Sequence, residues 1–226
     1  GKVRHREFVQ GCGELSEAAF TRFLEQSLAA MAKASRDGSL HYVFMDWRHL
    51  PELLGAGRAV YDDWLNLCVW AKSNAGMGSL YRSQHELVAV FKKGKRPHIN
   101  NVELGSNGRH RSNVWNHAGA NSFSNARSEE LGWHPTVKPA EMISDILKDA
   151  SDRDDIVLDG FGGSGTTLIA AEHSGRTARL LELDPLYCDV ILRRFLNAFG
   201  QMPVLVETGE AFTAREQLTS KVGDRD

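Results

Sequence analysis

Residues Trp133 to Tyr187 read WHPTVKPAEMISDILKDASDRDDIVLDGFGGSGTTLIAAEHSGRTARLLELDPLY, and the rest of the chain is best understood outward from them. Ile156-Val157-Leu158-Asp159 is a short apolar run ending on a carboxylate. A glycine-rich turn, Gly160 to Gly165, follows at once, which predicts a strand feeding a tight loop. From Thr166 onward Leu168, Ile169 and Ala171 fit one helical face, and Gly175 stands where a left-handed cap would end the helix. A second strand is expected over Ala178 to Leu183, finishing on Glu182 and Asp184. The unit is β-loop-α-β, with the helix N-terminus aimed at whatever lies above the glycines.

Such a loop brings backbone N–H groups close to a ligand, and an acid after the second strand can accept hydrogen bonds from both ribose hydroxyls. A nucleoside-containing cofactor is the natural reading. A phosphate-binding P-loop is excluded because Thr166 stands where its lysine must be. The dinucleotide pattern G-x-G-x-x-G is matched by Gly160, Gly162 and Gly165, with Glu182 at a suitable distance. A dinucleotide domain, however, opens with this unit and continues with further strands, whereas only about forty residues follow Glu182. The remaining strands must come from upstream, which is a permuted order.

In that order, two motifs resemble those of the permuted (β-class) amino-group DNA methyltransferases. Leu158-Asp159-Gly160-Phe161-Gly162-Gly163-Ser164-Gly165-Thr166-Thr167 is similar to their F-x-G-S-G-T-T motif, and His134-Pro135-Thr136-Val137-Lys138-Pro139 to their H-P-T-x-K-P motif. The resemblance implies an α/β, Rossmann-like S-adenosylmethionine-dependent fold, three-layered α/β/α, with circularly permuted motifs and an inserted target-recognition segment. It implies one methyltransferase domain over 1–226, a recognition segment at 93–131 and a cofactor unit at 133–199.

By the same resemblance, Asp159 would face the methionine amino group, and Phe161, Gly163, Ser164 and Gly165 would form the loop under S-adenosylmethionine, with Thr166 opening the helix. Glu182 would hold the ribose hydroxyls and Asp184 would lie nearer the adenine. His134, Thr136 and Lys138 would close the methionine end, Lys138 pairing with its carboxylate; for His134 a structural cap is the alternative. Where the family often has proline after the strand-end aspartate, this chain has Gly160.

With 226 residues, 42% hydrophobic and 25% charged, the chain can bury one good-sized core. The net charge of −2 gives no global nucleic-acid signature, so any basic surface must be local. Cys12, Cys68 and Cys188 form no C-x-x-C pair, arguing against a disulfide framework or a zinc site and fitting a reducing cytoplasm. No apolar run is long enough for a membrane helix. The chain begins on Gly1 in a polar, basic stretch, Lys2 to Arg6, and the expectation is a fragment of a longer protein.

Residues 1 to 13 read as loop or arm. Ser16 can cap a helix running to about Arg36, with Phe20, Phe23, Leu24, Leu28 and Met31 as its stripe and Gly38 as its stop. Leu40 to Met45 is a strand leading into Asp46-Trp47-Arg48-His49. Asp46 is either a catalytic acid beside a stacking Trp47 or a polar strand end whose Trp47 packs on a neighbouring helix. Pro51 to Asp63 reads as helix and turn, and Leu65 to Ala71 and His85 to Phe91 as strands. In the family, Trp70-x-Lys72 and His85-Glu86 resemble motifs that frame a flipped base, and 46–49 borders the same pocket.

Between Lys92 and Glu130 periodicity fades, and basic residues interleave with asparagines. Lys95, Arg96, Arg109, Arg111, Asn113, Trp115 and Arg127 are the candidates for contact with double-stranded DNA, the alternative being a solvated polar loop. Pro139 begins a helix with Met142, Ile143, Ile146 and Leu147 on one face, and Pro185 begins another that should cover the sheet. Val204 to Val206 is strand-like.

The catalytic motif of the family, [DNS]-P-P-[YFW], is absent: none of the 6 prolines is adjacent to another. Asp184-Pro185-Leu186-Tyr187 is a poor match, better read as a helix cap. The motif is expected upstream of residue 1. The resemblance therefore implies methylation of an exocyclic base amine, adenine N6 ahead of cytosine N4, and allows a homodimer and a cognate restriction endonuclease. A catalytically inactive DNA-binding homologue and, less well supported by chain order, an NAD-dependent oxidoreductase are the alternatives.

Overall fold

The structure, a computed structural model, describes residues 15–76, 80–102, 105–106, 108–119 and 137–213. Its elements are α1 (Glu17–Ala34), β1 (Leu40–Met45), a 3-10 turn (Trp47–His49), α2 (Leu50–Val60), β2 (Asp63–Ala71), β3 (His85–Lys92), β4 (Val114–Asn116), α3 (Ala140–Ala150), β5 (Ile156–Asp159), α4 (Thr166–Ser174), β6 (Thr177–Leu180) and α5 (Pro185–Phe199).

Four strands form one sheet in the order β1-β3-β2-β4, and β5 and β6 form a second. β3 is the centre of the larger sheet, antiparallel to β1 and to β2, and its run Leu87 to Phe91 is buried on both faces. Such a near-continuous apolar strand needs a layer on each side. Val88 and Val90 face α3, joining Cys68, Trp70, Trp115, Met142, Ile143, Ile146 and Ala170 of α4. Ala89 and Phe91 face the other way, onto Leu24, Leu28 and Ala32 of α1 and Leu53 and Ala56 of α2. The result is three layers, helix on sheet on helix.

Two contacts fix the direction of the smaller sheet. Arg36, just past the end of α1, pairs with Asp155 at 2.9 Å, whereas Phe23, near its start, lies edge-on to Phe161 at 6.2 Å. α1 therefore runs back along β5, and β1, which returns antiparallel to α1, runs in the same sense as β5. The C-terminal ends of β1, β2, β5 and β6 gather at one end of the molecule. Among the described residues β1 is paired only with β3, and β5 only with β6. Apolar Ile156 at the start of β5 is 67% exposed.

Several expected boundaries shift for local reasons. Helix α1 stops at Ser35, whose hydroxyl bonds the Met31 carbonyl, before Gly38 turns the chain at φ 90°. The last strand of the cofactor unit ends at Leu180, because its partner β5 ends opposite at Asp159 as the turn begins; Glu182 and Asp184 thus lie beyond it. Strand β4, within a stretch expected to be irregular, is three residues held by pairing with β2. Val204 makes a single bridge to Ala211 in place of a strand.

Candidate active site

The strand-loop-helix-strand unit closes through side-chain bonds. Asp159 Oδ1 accepts from the Phe161 amide at 3.0 Å and Oδ2 from the Thr167 hydroxyl at 2.6 Å, so one carboxylate both folds the turn and anchors the start of α4. Glu182 reaches back across the unit: Oε2 accepts from the Gly163 amide at 2.7 Å and Oε1 from the Asp184 amide at 2.9 Å. Asp184 is buried and caps α5 through the Leu186 amide at 3.0 Å, as its Asp-Pro sequence leads one to expect.

Gly165, at φ 77°, precedes α4 and gives no side-chain cap, leaving the amides of the first turn to a ligand. Packing also demands glycine here: a Cβ at Gly165 would come within 2.9 Å of Ile191, and one at Gly160 within 2.8 Å of the Met31 sulfur. Ser164 and Thr166 are buried, their hydroxyls 3.3 Å apart, and Thr166 donates to the Lys138 carbonyl at 3.4 Å. The Lys138 ammonium lies 4.9 Å from the centre of the Phe44 ring. The loop residues, Glu182, Asp184 and the Lys138 backbone are thus brought together. His134 and Thr136 lie outside the described residues.

Around the same end of the sheet stand the residues that follow β1 and β2. Asp46 accepts from the Arg48 and His49 amides at 2.7 and 3.3 Å, so its carboxylate caps the 3-10 turn, which favours the strand-end reading. Trp47 is 54% exposed and its indole donates to Ser83 at 3.1 Å, tying that turn to the β2–β3 connection. Trp70 is buried, donating to the His117 carbonyl at 2.9 Å, and Lys72 lies over its ring while pairing with Glu86 at 2.6 Å.

The DNA candidates fall differently. Arg109 and Arg111 turn inward onto α3, pairing with Asp149 at 2.5 and 2.9 Å, and Arg111 with Asp145 at 3.1 Å. Trp115 is 7% exposed in the core, and Asn113 donates to the Leu67 carbonyl at 3.1 Å. Lys95 and Arg96 sit in the turn after β3, beside the start of β1, the end of the sheet opposite the glycine loop. For Arg109 and Arg111 the acids that pair with them stand on α3, 34 to 40 residues further on, which the sequence pattern does not mark. Arg127 lies outside the described residues.

Two residues of α5 support the loop: Ile191, expected from the sequence only on the apolar face covering the sheet, and Arg194, which sequence reading did not single out. Ile191 packs on Gly165, and buried Arg194 donates to the Ser164 carbonyl at 2.6 Å. For Arg194 the only signal was its place on the helix after the Asp184 cap.

A parallel β-loop-α-β unit with a glycine turn, an acid organising the turn and a second acid reaching back to it from just beyond the next strand defines an α/β protein of the kind able to hold a nucleoside cofactor. Comparison with known proteins narrows that class. The DNA methylase family of N6/N4 type matches residues 7–193, and the chain belongs to it. It is 30% identical over 138 residues to the type II methyltransferase M2.MboI of Moraxella bovis, covering 58% of this chain and 49% of that protein. To M1.MboII of the same organism it is 28% identical over 184 residues, covering 64% and 66%. The chain therefore spans about half to two thirds of these relatives.

Among solved structures, the M1.HpyAVI–SAM complex superposes with a TM-score of 0.65 at 20% identity over 79% of this chain and 84% of that one. The PvuII DNA methyltransferase, cytosine-N4-specific, gives 0.67 at 19% over 85% and 75%. These likenesses establish the Rossmann-like methyltransferase fold. No described helix is long and apolar enough to cross a membrane.

Proposed function

We propose that the chain is the cofactor-binding and base-framing part of a DNA methyltransferase that moves the methyl group of S-adenosylmethionine to an exocyclic base amine, adenine N6 ahead of cytosine N4. The observation that carries this reading is the crossing of Glu182 to the Gly163 amide beside the uncapped start of α4. The residues fit the cofactor: first-turn amides suit its carboxylate, and Glu182 retains acceptor capacity for ribose hydroxyls. When bound, S-adenosylmethionine supplies an electrophilic methyl on a sulfonium. Asp159 keeps the loop folded, and Glu182, Asp184 and Lys138 orient the cofactor.

The amine lone pair is delocalised into the base, so transfer requires an acceptor that holds the NH2 while an aromatic ring stacks on the extruded base. The family motif that does this is proposed to precede α1, on a strand lying between β1 and β5. That each of those two strands has one partner among the described residues supports the placement. DNA is proposed to approach the loop end, where Trp47 and Tyr81 are exposed at 54% and 87%, rather than the Arg109–Arg111 face. The names of the M. bovis relatives support a restriction-modification setting, with an endonuclease partner and a homodimer following from it as proposals, in a cytoplasmic location.

Calorimetric titration of the chain with S-adenosylmethionine and, separately, NAD tests the reading, alongside Asp159→Ala. Binding of S-adenosylmethionine that the variant loses is the expected result. Binding of NAD alone would overturn it and favour the oxidoreductase.

A further inference from the structure

We infer that Arg194 is a positioning residue that holds both walls of the cofactor pocket in register, an inference that rests on the S-adenosylmethionine reading. Arg194 is 7% exposed on α5, one turn after Ile191, which packs on Gly165. Its Nη1 donates to the Ser164 carbonyl at 2.6 Å and lies 3.5 Å from the Thr166 hydroxyl oxygen. That hydroxyl in turn donates to the Lys138 carbonyl at 3.4 Å. One guanidinium thus reaches the glycine loop directly and the chain entering α3 through Thr166.

These two segments are 26 residues apart in sequence, Lys138 against Ser164, and carry the two sets of groups that the cofactor needs on either side of it. Both contacts leave from Nη1, whose hydrogens are held in the guanidinium plane, whereas the donors of an ammonium on its flexible stem have no such fixed direction. Burial of a charge is tolerated where its donors are met, so the energetic demand of the site pins loop and α3 together.

The test is a double-mutant cycle on S-adenosylmethionine affinity in the full chain, with Arg194→Lys, Thr166→Val and the pair, and Thr166→Ser as the conservative control. Each single variant is expected to bind about tenfold more weakly, the pair to be little worse than either, and Thr166→Ser to bind as the parent does. Parent-like binding by Arg194→Lys, or strictly additive losses, would overturn the inference. Amide exchange separates this from failure of the cofactor reading. If the parent chain binds no S-adenosylmethionine, that reading fails, while Arg194→Lys or Thr166→Val must still speed exchange over 163–169 and 139–143 and leave β3 unchanged. Unaltered exchange in both segments would remove the positioning role; should Arg194→Lys not fold, Thr166→Val carries both measurements.

Discussion

His41 on β1 lies with Nδ1 2.9 Å from the Tyr61 hydroxyl, its ring packed against the Tyr61 ring that stacks in turn on Phe91. Its Nε2 is buried with no hydrogen-bond partner. Burial first, and the neighbouring Lys93 ammonium second, push its pKa from 6.5 down to about 4. The folded protein keeps the ring neutral while the unfolded chain takes up a proton below 6.5, so this stability is present above that pH and is lost as pH falls towards 4. The expected loss at pH 4 relative to pH 7 is on the order of 3 kcal/mol, read from urea denaturation at several pH values. His41→Gln should flatten that dependence; an equally steep curve in the variant would acquit His41. Nothing in the sequence marked this residue, because alternation along a strand tells which side a side chain takes but not what it meets there.

At the scale of the element, α2 shows how a contact reverses a propensity. Gly57 lies mid-helix, where alanine is ordinarily favoured by about 1 kcal/mol. A Cβ at that position would come 2.2 Å from Cζ of Phe91 on the central strand, a ring that is itself 1% exposed and stacked on Tyr61. Gly57→Ala is therefore expected to lower stability by about 1–3 kcal/mol, measurable as a fall in the denaturation midpoint. A stabilised variant would mean that the α2–β3 packing is looser than the structure has it. The helix itself was legible, and so were α1 with its Ser16 cap, α3 from Pro139 and α5 from Asp184-Pro185, since capping chemistry is written locally. Strand β4 was not, because three residues have no period and are strand only by pairing with Val69, Trp70 and Ala71.

At the scale of the molecule, β1 and β5 are each an edge of their sheet among the described residues, β1 paired only with β3 and β5 only with β6. An unpaired edge leaves every second amide of a strand without a ladder partner. The amides of Leu40–Met45 and Ile156–Asp159 that point away from β3 and β6 have no ladder partner among the described residues and are expected to exchange faster than those of β3, which is paired on both sides. In a longer polypeptide carrying the proposed upstream strand, the same edges should become protected at least tenfold. Fast exchange persisting there would place that strand elsewhere and separate it from the site.

The sequence by itself determined the β-loop-α-β unit, its glycine turn, the acids at Asp159, Glu182 and Asp184 and the family to which the chain belongs, because strand, turn and cap preferences act over a few residues. Only the tertiary structure decided what those groups do to one another. Glu182 crosses to Gly163, Ile191 and Arg194 support the loop, and Arg109 and Arg111 are spent on Asp145 and Asp149. Each of these pairings joins segments about 19 or more residues apart, and a charge or a donor carries no record in the sequence of the partner that folding will bring to it.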